Sequence, residues 1–258
     1  MKLFDWLKCP KNKFAEGQDD RAVTIAHARI LQEKPFLKKL YTDFYKELKN
    51  AVSDSDKKTI VELGSGGGFI KQIIPNAITS DVLDVPNVDK IFSACRMPFA
   101  DSSVDAFVMF DVLHHIPQPK EFFREALRCL KIDGQIVMIE PANTLWGRFI
   151  YKNFHHESFD TKASWNLGAG GPVLNGNGAI PWIIFYRDRK IFESEFPTLK
   201  IVLMHCHTPL RYLFSGGFTL RQLAPSWMYG FIKGFEIVLS PLNGMIGMFQ
   251  TVELKKIG

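Results

Sequence analysis

The first 50 residues carry apolar side chains at helical spacing. Residues 20–33 and 36–49 predict two helices, and Pro35 between them lacks an amide donor, which suits the first turn of a new helix. In the second segment the apolar residues recur every three or four positions, so they form one stripe that can pack against a core. The stripe consists of Leu37, Leu40, Tyr41, Phe44 and Leu48.

Between residues 59 and 140, short apolar runs alternate with amphipathic segments. The loop 82–87 between the second and third runs is too short for the crossover helix that parallel neighbours usually need, so we expect this corner to be irregular. The alternation predicts an α/β fold with a mostly parallel sheet covered on both sides. The predicted strands are 59–63, 77–81, 88–92, 104–110 and 135–140, and the helices are 67–74 and 119–131.

The rest of the chain predicts two insertions among further sheet elements. Residues 141–180 are rich in Gly, Asn and aromatics, and a connection of this length is typical of a lid, a binding loop or a disordered segment. A second insertion covers residues 208–244, where aromatic side chains alternate with basic ones. The regular elements that remain are a helix at 181–196, a strand at 199–205 and a last strand at 245–254.

A glycine-rich loop follows the first predicted strand. Gly64, Gly66 and Gly68 stand at alternate positions after Glu62. Such glycines permit positive φ and allow the backbone to approach a ligand closely. The spacing G-x-G-x-G differs from the dinucleotide fingerprint G-x-G-x-x-G. The loop therefore predicts a ligand that contains adenosine, and it argues against a nicotinamide cofactor.

Composition narrows the class of protein further. The 258 residues suffice for one sizeable core, and the net charge of +5 is spread along the chain, so a dedicated nucleic-acid binder is not expected. The 4 cysteines lie far apart and predict neither a disulfide framework nor a structural zinc site. No signal peptide and no apolar run of about 20 residues is present, so we expect a cytoplasmic protein. The 22 phenylalanines fit an aromatic core, an apolar substrate or a membrane surface.

Four sequence motifs in order resemble one family. The chain is similar to class I S-adenosylmethionine-dependent methyltransferases of the group called methyltransferase type 11, and the likeness covers roughly residues 58–142. It implies a Rossmann-like three-layer sandwich with a seven-stranded, mostly parallel sheet whose last strand is antiparallel. The cofactor implied is S-adenosylmethionine, with S-adenosylhomocysteine as product. The motifs are Ile60-Val61-Glu62-Leu63-Gly64-Ser65-Gly66-Gly67-Gly68, Met97-Pro98-Phe99-Ala100-Asp101-Ser102-Ser103-Val104-Asp105, Val112-Leu113-His114-His115-Ile116 and Leu130-Lys131-Ile132-Asp133-Gly134-Gln135.

The resemblance also implies a division of the chain. Residues 1–57 form an N-terminal helical extension, in which residues 20–49 are a candidate part of a lid. Residues 58–258 form the methyltransferase domain, with insertions at about 141–180 and 208–244. Family members usually obtain their substrate specificity from such additions.

Several residues match the family's cofactor-binding positions. The resemblance implies that Glu62 organises the loop of Gly64, Ser65, Gly66 and Gly68 and faces the methionine ammonium. Asp81 matches the acid that holds both ribose hydroxyls, with Asp84 as a rival because the register is uncertain there. Ser93 and Ala94 fall where relatives have an acid and a small residue beside adenine. Because Ser93 replaces that acid, the contact is in doubt.

The reaction centre is expected at the end of the fourth strand. There the resemblance implies that Phe110 borders the cofactor, and that Asp111 and His114 contact cofactor or substrate as the catalytic candidates. His115 is expected to pack structurally. In the first insertion, His155 or His156 near Tyr151 and Glu157 can supply a general base. His205 and His207 share one face of a strand, but no carboxylate is spaced in the sequence to complete a metal site, so no metal is predicted.

The acceptor is less well defined by the sequence. The Asn/Asp-Pro-Pro-aromatic loop of enzymes that methylate amino groups on nucleic acid or protein is absent, because residues 110–113 read Phe-Asp-Val-Leu. We therefore expect a small acceptor, apolar or linked to a lipid or sugar. Residues 210–248 fit a hydrophobic lid, a peripheral contact with the inner membrane face, or a partner surface. A catalytically silent, methyltransferase-like binding subunit is the alternative function, and a nicotinamide-dependent oxidoreductase is disfavoured.

Overall fold

Strands with buried side chains form the centre of the molecule. The computed structural model describes residues 19–155, 157–167 and 176–258. Seven strands form one sheet in the order β3-β2-β1-β4-β5-β7-β6. All pairs are parallel except β5 with β7 and β6 with β7, so the last strand is antiparallel to both of its neighbours. The strands are β1 Ile60–Leu63, β2 Ile78–Asp81, β3 Lys90–Ile91, β4 Val104–Phe110, β5 Leu130–Pro141, β6 Leu199–His207 and β7 Phe249–Lys256.

This topology confirms the predicted fold class, a Rossmann-like sheet with an antiparallel last strand. Every residue of β1 is buried, which requires packed structure on both faces of the sheet. The edge strand β3 is exposed at both of its residues. The carboxyl ends of β1, β2 and β4 meet at one edge, where open α/β folds bind their ligands.

Helices pack around this sheet. The first two, α1 (Asp20–Glu33) and α2 (Pro35–Ala51), lie where the apolar pattern predicts them, and the stripe of α2 is buried. The others are α3 Pro119–Cys129, α4 Leu145–Phe154, α5 Ile180–Trp182, α6 Arg189–Glu195, α7 Arg211–Ser215, α8 Tyr229–Val238 and α9 Asn243–Ile246. A π-helical segment, Ile183–Arg187, joins α5 to α6.

Several predicted elements differ from the observed ones. Helix α3 ends at Cys129 instead of residue 131, and β5 begins at Leu130 instead of residue 135. The helix expected at 67–74 is only a 3-10 turn, Ile70–Gln72, because the chain after the glycine loop is stopped within a few residues by Pro75. The strand expected at 88–92 has two paired residues. This agrees with the irregular corner expected from the short connection before it. The last strand begins at Phe249 instead of 245, because α9 occupies the preceding residues.

The two insertions are partly ordered into helices. The first contributes α4, and the second contributes α7, α8 and α9. Residues 168–175 and His156, within the first insertion, lie outside the described residues, as do residues 1–18. Among the helices of the described chain, none combines the length and the apolar character needed to cross a bilayer.

Candidate functional site

A cavity of about 240 Å³ opens at the carboxyl edge of the sheet. Its wall contains every candidate cofactor residue inferred from the sequence, together with Asp111, and it extends to side chains of α1, α2 and both insertions. The structure therefore brings those candidates together in one place. The candidates in the wall are Glu62, Gly64, Ser65, Gly66, Gly68, Asp81, Ser93, Ala94, Phe110 and Asp111.

The glycine loop is held in a tight turn by its own backbone. Gly64 and Gly66 have φ of 65° and 50°, the left-handed region that glycine adopts at little cost. Gly68 is needed for another reason, because a Cβ there would lie 2.1 Å from the Tyr45 hydroxyl. A Cβ on Gly67 would lie 2.5 Å from the Cα of Ala28 in α1. Thus the N-terminal helices press directly against the loop.

Glu62 places a buried carboxylate beneath this loop. Its side chain is 3% exposed, and among the described residues its Oε2 atom has no hydrogen-bond partner. The pKa of Glu62 is raised to about 7. Burial is the main cause, the charge of nearby Asp81 adds to it, and hydrogen bonds from Ser65 and Tyr45 oppose it. An unpaired carboxylate oxygen facing a cavity is an acceptor for a cationic group such as an ammonium.

Asp81 closes the turn from the neighbouring strand. Its Oδ2 accepts a hydrogen bond from the Gly66 amide at 2.8 Å, and its Oδ1 accepts one from the Leu83 amide at 2.9 Å. Each carboxylate oxygen still has a second lone pair for a hydroxyl donor. Asp84 is not in the cavity wall, so of the two aspartates only Asp81 has the position expected for a ribose contact.

Asp111 ends β4 with a left-handed backbone. Its φ is 62°, and its amide donates to the Ile139 carbonyl at 2.8 Å. Such a conformation is uncommon for a residue with a side chain and tends to persist at functional sites. The pKa of Asp111 is raised to about 7. Burial is the main cause, the charge of His114 opposes the rise, and the charges of Glu157 and Glu140 add to it.

His114 does not occupy the position expected for a catalytic residue. It is fully buried and absent from the cavity wall, whereas His115, expected to be structural, lines the wall. The Nδ1 atom of His114 lies 2.7 Å from Glu140 Oε2, and its Nε2 atom lies 3.3 Å from Glu157 Oε2. Burial alone would lower the pKa of His114, but the two carboxylates raise it well above its usual range. The reason for the exchange is the 3-10 turn Leu113–His115, which turns successive side chains in different directions.

Glu140 fixes the loop that carries these residues. Its buried carboxylate accepts hydrogen bonds from the amides of Val112 and Leu113 at 2.9 and 2.7 Å, besides the contact with His114. It thus anchors the turn directly after Asp111. No sequence pattern indicates this role, because Glu140 lies 28 residues after Val112 and meets it through the pairing of β4 with β5.

Part of the cavity wall is aromatic, and its side chains come from distant segments of the chain. Tyr41 of α2 and Tyr212 of α7 line the wall, and the pKa of each is raised by burial first and then by the charge of Asp111. Tyr41 also packs edge-on against Phe110, with ring centroids 4.8 Å apart. His155 and Glu157 of the first insertion lie in the same wall. Tyr151 lines a smaller neighbouring cavity, and its hydroxyl donates to the Met248 carbonyl at 2.6 Å.

The pair His205 and His207 has a carboxylate neighbour after all. Glu47 Oε1 of α2 lies 3.3 Å from His205 Nε2 and 3.6 Å from His207 Nε2, so three groups that can bind a metal converge. The expectation that no carboxylate completes this pair was wrong. Sequence spacing could not show it, because Glu47 reaches β6 only when α2 packs on the sheet.

Comparisons with known proteins agree with this geometry. Residues 73–138 match the family model described as a methyltransferase domain. No curated protein sequence matches the chain. Among solved structures, the chain is similar to the methyltransferase component of the complex with the Haloferax volcanii Trm112 methyltransferase activator, with 13% identity and a TM-score of 0.52 over 93% of this chain and 98% of that one.

A second solved structure has the same fold. The chain is similar to an SAM-dependent methyltransferase from Thermotoga maritima, with 14% identity and a TM-score of 0.51 over 88% of this chain and 99% of that one. At these identities the likeness concerns the fold. Together with the family match, it confirms the resemblance to class I methyltransferases and supports S-adenosylmethionine as the cofactor of an enzyme.

Proposed function

We propose that the chain transfers the methyl group of S-adenosylmethionine to a small acceptor that is apolar or linked to a lipid or sugar. One observation carries the proposal. The wall of a single cavity joins the Glu62–glycine loop to Asp111 and to the aromatic side chains Tyr41 and Tyr212. The residues that we assign to the cofactor and those that we assign to the acceptor therefore line the same cavity.

The polar residues of the wall suit the two ends of the cofactor. Glu62 would hold the methionine ammonium through its unpaired Oε2, and Asp81 would hold the ribose hydroxyls through its free lone pairs. Ser93 and Ala94 would border the adenine, without the carboxylate that relatives use there. When bound, the cofactor supplies an electrophilic methyl group on its sulfonium.

The chain's own contribution to the reaction is alignment and removal of a proton. Good alignment of two reacting groups can contribute roughly 7–11 kcal/mol to lowering a barrier. Asp111 is the group we assign as proton acceptor, because a carboxyl with a pKa of about 7 can take a proton near neutral pH and release it again. His114 would act on Asp111 as a positioning residue, from its buried place between Glu140 and Glu157. The aromatic wall would exclude water from the transferred methyl.

The apolar character of this wall favours a small or lipid-linked acceptor. Phe110, Tyr41 and Phe218 surround the end of the cavity near Asp111, and Phe218 belongs to the second insertion. Polar macromolecules would require a wider, charged approach. The alternative, a catalytically silent binding subunit, draws on Ser93 in place of the usual acid.

Two measurements test the proposal. Calorimetry with S-adenosylmethionine, S-adenosylhomocysteine and NADH should give saturable binding of the two sulfur compounds only. Transfer of a labelled methyl group from the cofactor to a cell extract should then label an organic-soluble product, and Asp111→Asn should greatly slow that labelling. Absence of cofactor binding would refute the methyltransferase function, whereas binding without any transfer would favour the silent subunit.

A further inference from the structure

The second insertion presents an unbroken row of apolar side chains to solvent. We call this row the apolar face. On α8 its members recur every three or four residues, and Trp227, Phe231 and Val238 are 78%, 75% and 74% exposed. Side chains this large and this exposed are costly in water unless a surface covers them. The apolar face consists of Trp227, Phe231, Phe235, Val238, Leu242 and Met245.

The outward direction of this face is fixed by polar anchors on the other side of α8. Glu236 is buried and accepts hydrogen bonds from the amides of Leu210 and Arg211 at 2.8 and 2.7 Å, and it pairs with the Arg211 guanidinium. Tyr229 is the first residue of α8, and its hydroxyl donates a hydrogen bond to Asp43 Oδ2 at 2.6 Å. The helix thus buries Tyr229, Ile232 and Glu236 against the protein and turns Phe231 and Phe235 to solvent.

The surface of this segment carries little charge, since Lys233 is its partly exposed charged side chain. Every exposed residue between positions 227 and 245 is uncharged. Its two charged residues are neutralised within the protein, since Lys233 pairs with Asp43 at 2.8 Å and Glu236 is buried. Gly230 and Gly234 are also exposed, and a Cβ built on either would touch nothing within 4 Å. Within residues 19–155, 157–167 and 176–258, no side chain or backbone therefore covers these two glycines.

The first insertion extends the same surface. Helix α9 packs against α4, where Leu145, Phe149 and Phe154 are 65%, 50% and 49% exposed. The charged residues of α4 are Arg148 and Lys152, and α4 has no acid. The two insertions together thus form an apolar centre with cationic neighbours.

We propose that the apolar face docks the protein onto the surface of a membrane that contains anionic lipids. Rings that enter the boundary of the acyl chains, with basic side chains at headgroup level, are the arrangement of helices that lie in the plane of an interface. Helix α8 has 10 residues, about 15 Å, and can lie along the bilayer surface. Arg148 and Lys152 on the neighbouring α4, which has no acid, complement anionic headgroups beside this face.

Docking also explains why one insertion serves two surfaces. Tyr212, Phe218 and Thr219 of the second insertion line the cavity, while its later residues form the apolar face. A methyl acceptor dissolved in the membrane would then reach the cavity without crossing water. This part of the inference rests on the proposed function, whereas docking itself does not.

Flotation of the full chain with vesicles tests the docking. We expect it to float with vesicles rich in phosphatidylglycerol and to remain largely in the lower fraction with phosphatidylcholine alone. The double variant Phe231→Gln and Phe235→Gln should lower partitioning by roughly tenfold or more, because each buried ring contributes strongly to apolar transfer. Ile132→Gln is the matched control, since Ile132 is 65% exposed and lies outside both insertions; it should float like the parent chain.

Two further readouts separate the other occupants. Brominated phospholipids should quench a component of tryptophan fluorescence that disappears in Trp227→Phe, while Arg148→Glu with Lys152→Glu should weaken binding to anionic vesicles. Equal flotation of the double phenylalanine variant, or a dimer in light scattering that this variant dissociates, would overturn the proposal in favour of no docking or of a second copy. Calorimetric binding of S-adenosylhomocysteine by every variant would show that the variants fold. If the parent chain itself did not bind this compound, only the proposed function would be refuted, because flotation is measured without it.

Discussion

The Nδ1 atom of His114 lies 2.7 Å from the Oε2 atom of Glu140, and neither side chain is exposed to solvent. Because Glu140 also holds the amides of Val112 and Leu113, this pair ties the loop after β4 to β5. Residues in contact with the cavity, Asp111 and His115, sit on either side of His114 in the sequence. The pair is therefore a scaffold for the turn that places Asp111 and His115 at the cavity.

Removal of the imidazole should destabilise the fold. His114→Ala leaves the buried Glu140 carboxylate without its cation, which typically costs about 3–5 kcal/mol. Urea unfolding should show this loss, while the control His115→Ala should lower the free energy of unfolding much less, because His115 borders the cavity. Equal, small losses in both variants would contradict a scaffold role for His114.

Cofactor affinity should rise with pH. The pKa of Glu62 is raised to about 7, and only the ionised carboxylate attracts the methionine ammonium. Below pH 7 the protonated Glu62 must therefore lose its proton when the cofactor binds, and this lowers the affinity. From about pH 5.5 to pH 7 the association constant for S-adenosylmethionine should increase roughly tenfold in calorimetry. Glu62→Gln should bind more weakly at pH 7 and lose this slope. A slope that persists in Glu62→Gln would assign the titration to another group.

A methyl group added to the glycine loop should weaken cofactor binding. In Gly68→Ala the new Cβ meets the Tyr45 hydroxyl at 2.1 Å and the Ser65 carbonyl at 2.9 Å, so the loop must move. We expect at least about a tenfold loss of affinity for S-adenosylhomocysteine, equivalent to about 1.4 kcal/mol. Gly234→Ala is the control, because its Cβ touches nothing and alanine favours a helix by about 1 kcal/mol over glycine. Unchanged affinity in Gly68→Ala would show that the loop does not contact the cofactor.

Methyl transfer should depend on the carboxyl of residue 111. Asn tolerates a left-handed backbone, so Asp111→Asn keeps the φ of 62° while removing the base. Single-turnover transfer to the extract acceptor should slow by roughly 10²–10⁴, with cofactor affinity nearly unchanged. In the parent chain the rate should fall as pH drops below about 7, because Asp111 becomes protonated. A rate that Asp111→Asn leaves intact would mean that the acceptor loses no proton to this residue.

The sequence predicted the parts of the site that lie on one continuous segment. Glu62 and its glycines follow a buried strand directly, and Asp81 ends the next one, so strand ends alone brought them to one edge. Their placement required only the rule that parallel strands end together.

Residues that meet through tertiary packing were not predictable in the same way. Glu140 joins His114 across paired strands, and Glu47 joins His205 only because α2 lies on the sheet. The order of His114 and His115 depends on one 3-10 turn, whose side-chain directions no motif specifies. Tyr41 and Tyr212 line the same cavity although their sequence neighbours indicate only an apolar stripe and an insertion.

The close approach of Gly67 to Ala28 links the cofactor loop to the N-terminal helix α1. Any equilibrium that shifts α1 away from the sheet must then change cofactor affinity, and binding of the cofactor must shift α1 by the same factor in return. Backbone amides of α1 should consequently exchange with deuterium more slowly when the cofactor is bound. The stability of a helix that precedes the whole sheet in sequence should thus depend on whether the methyl donor is bound.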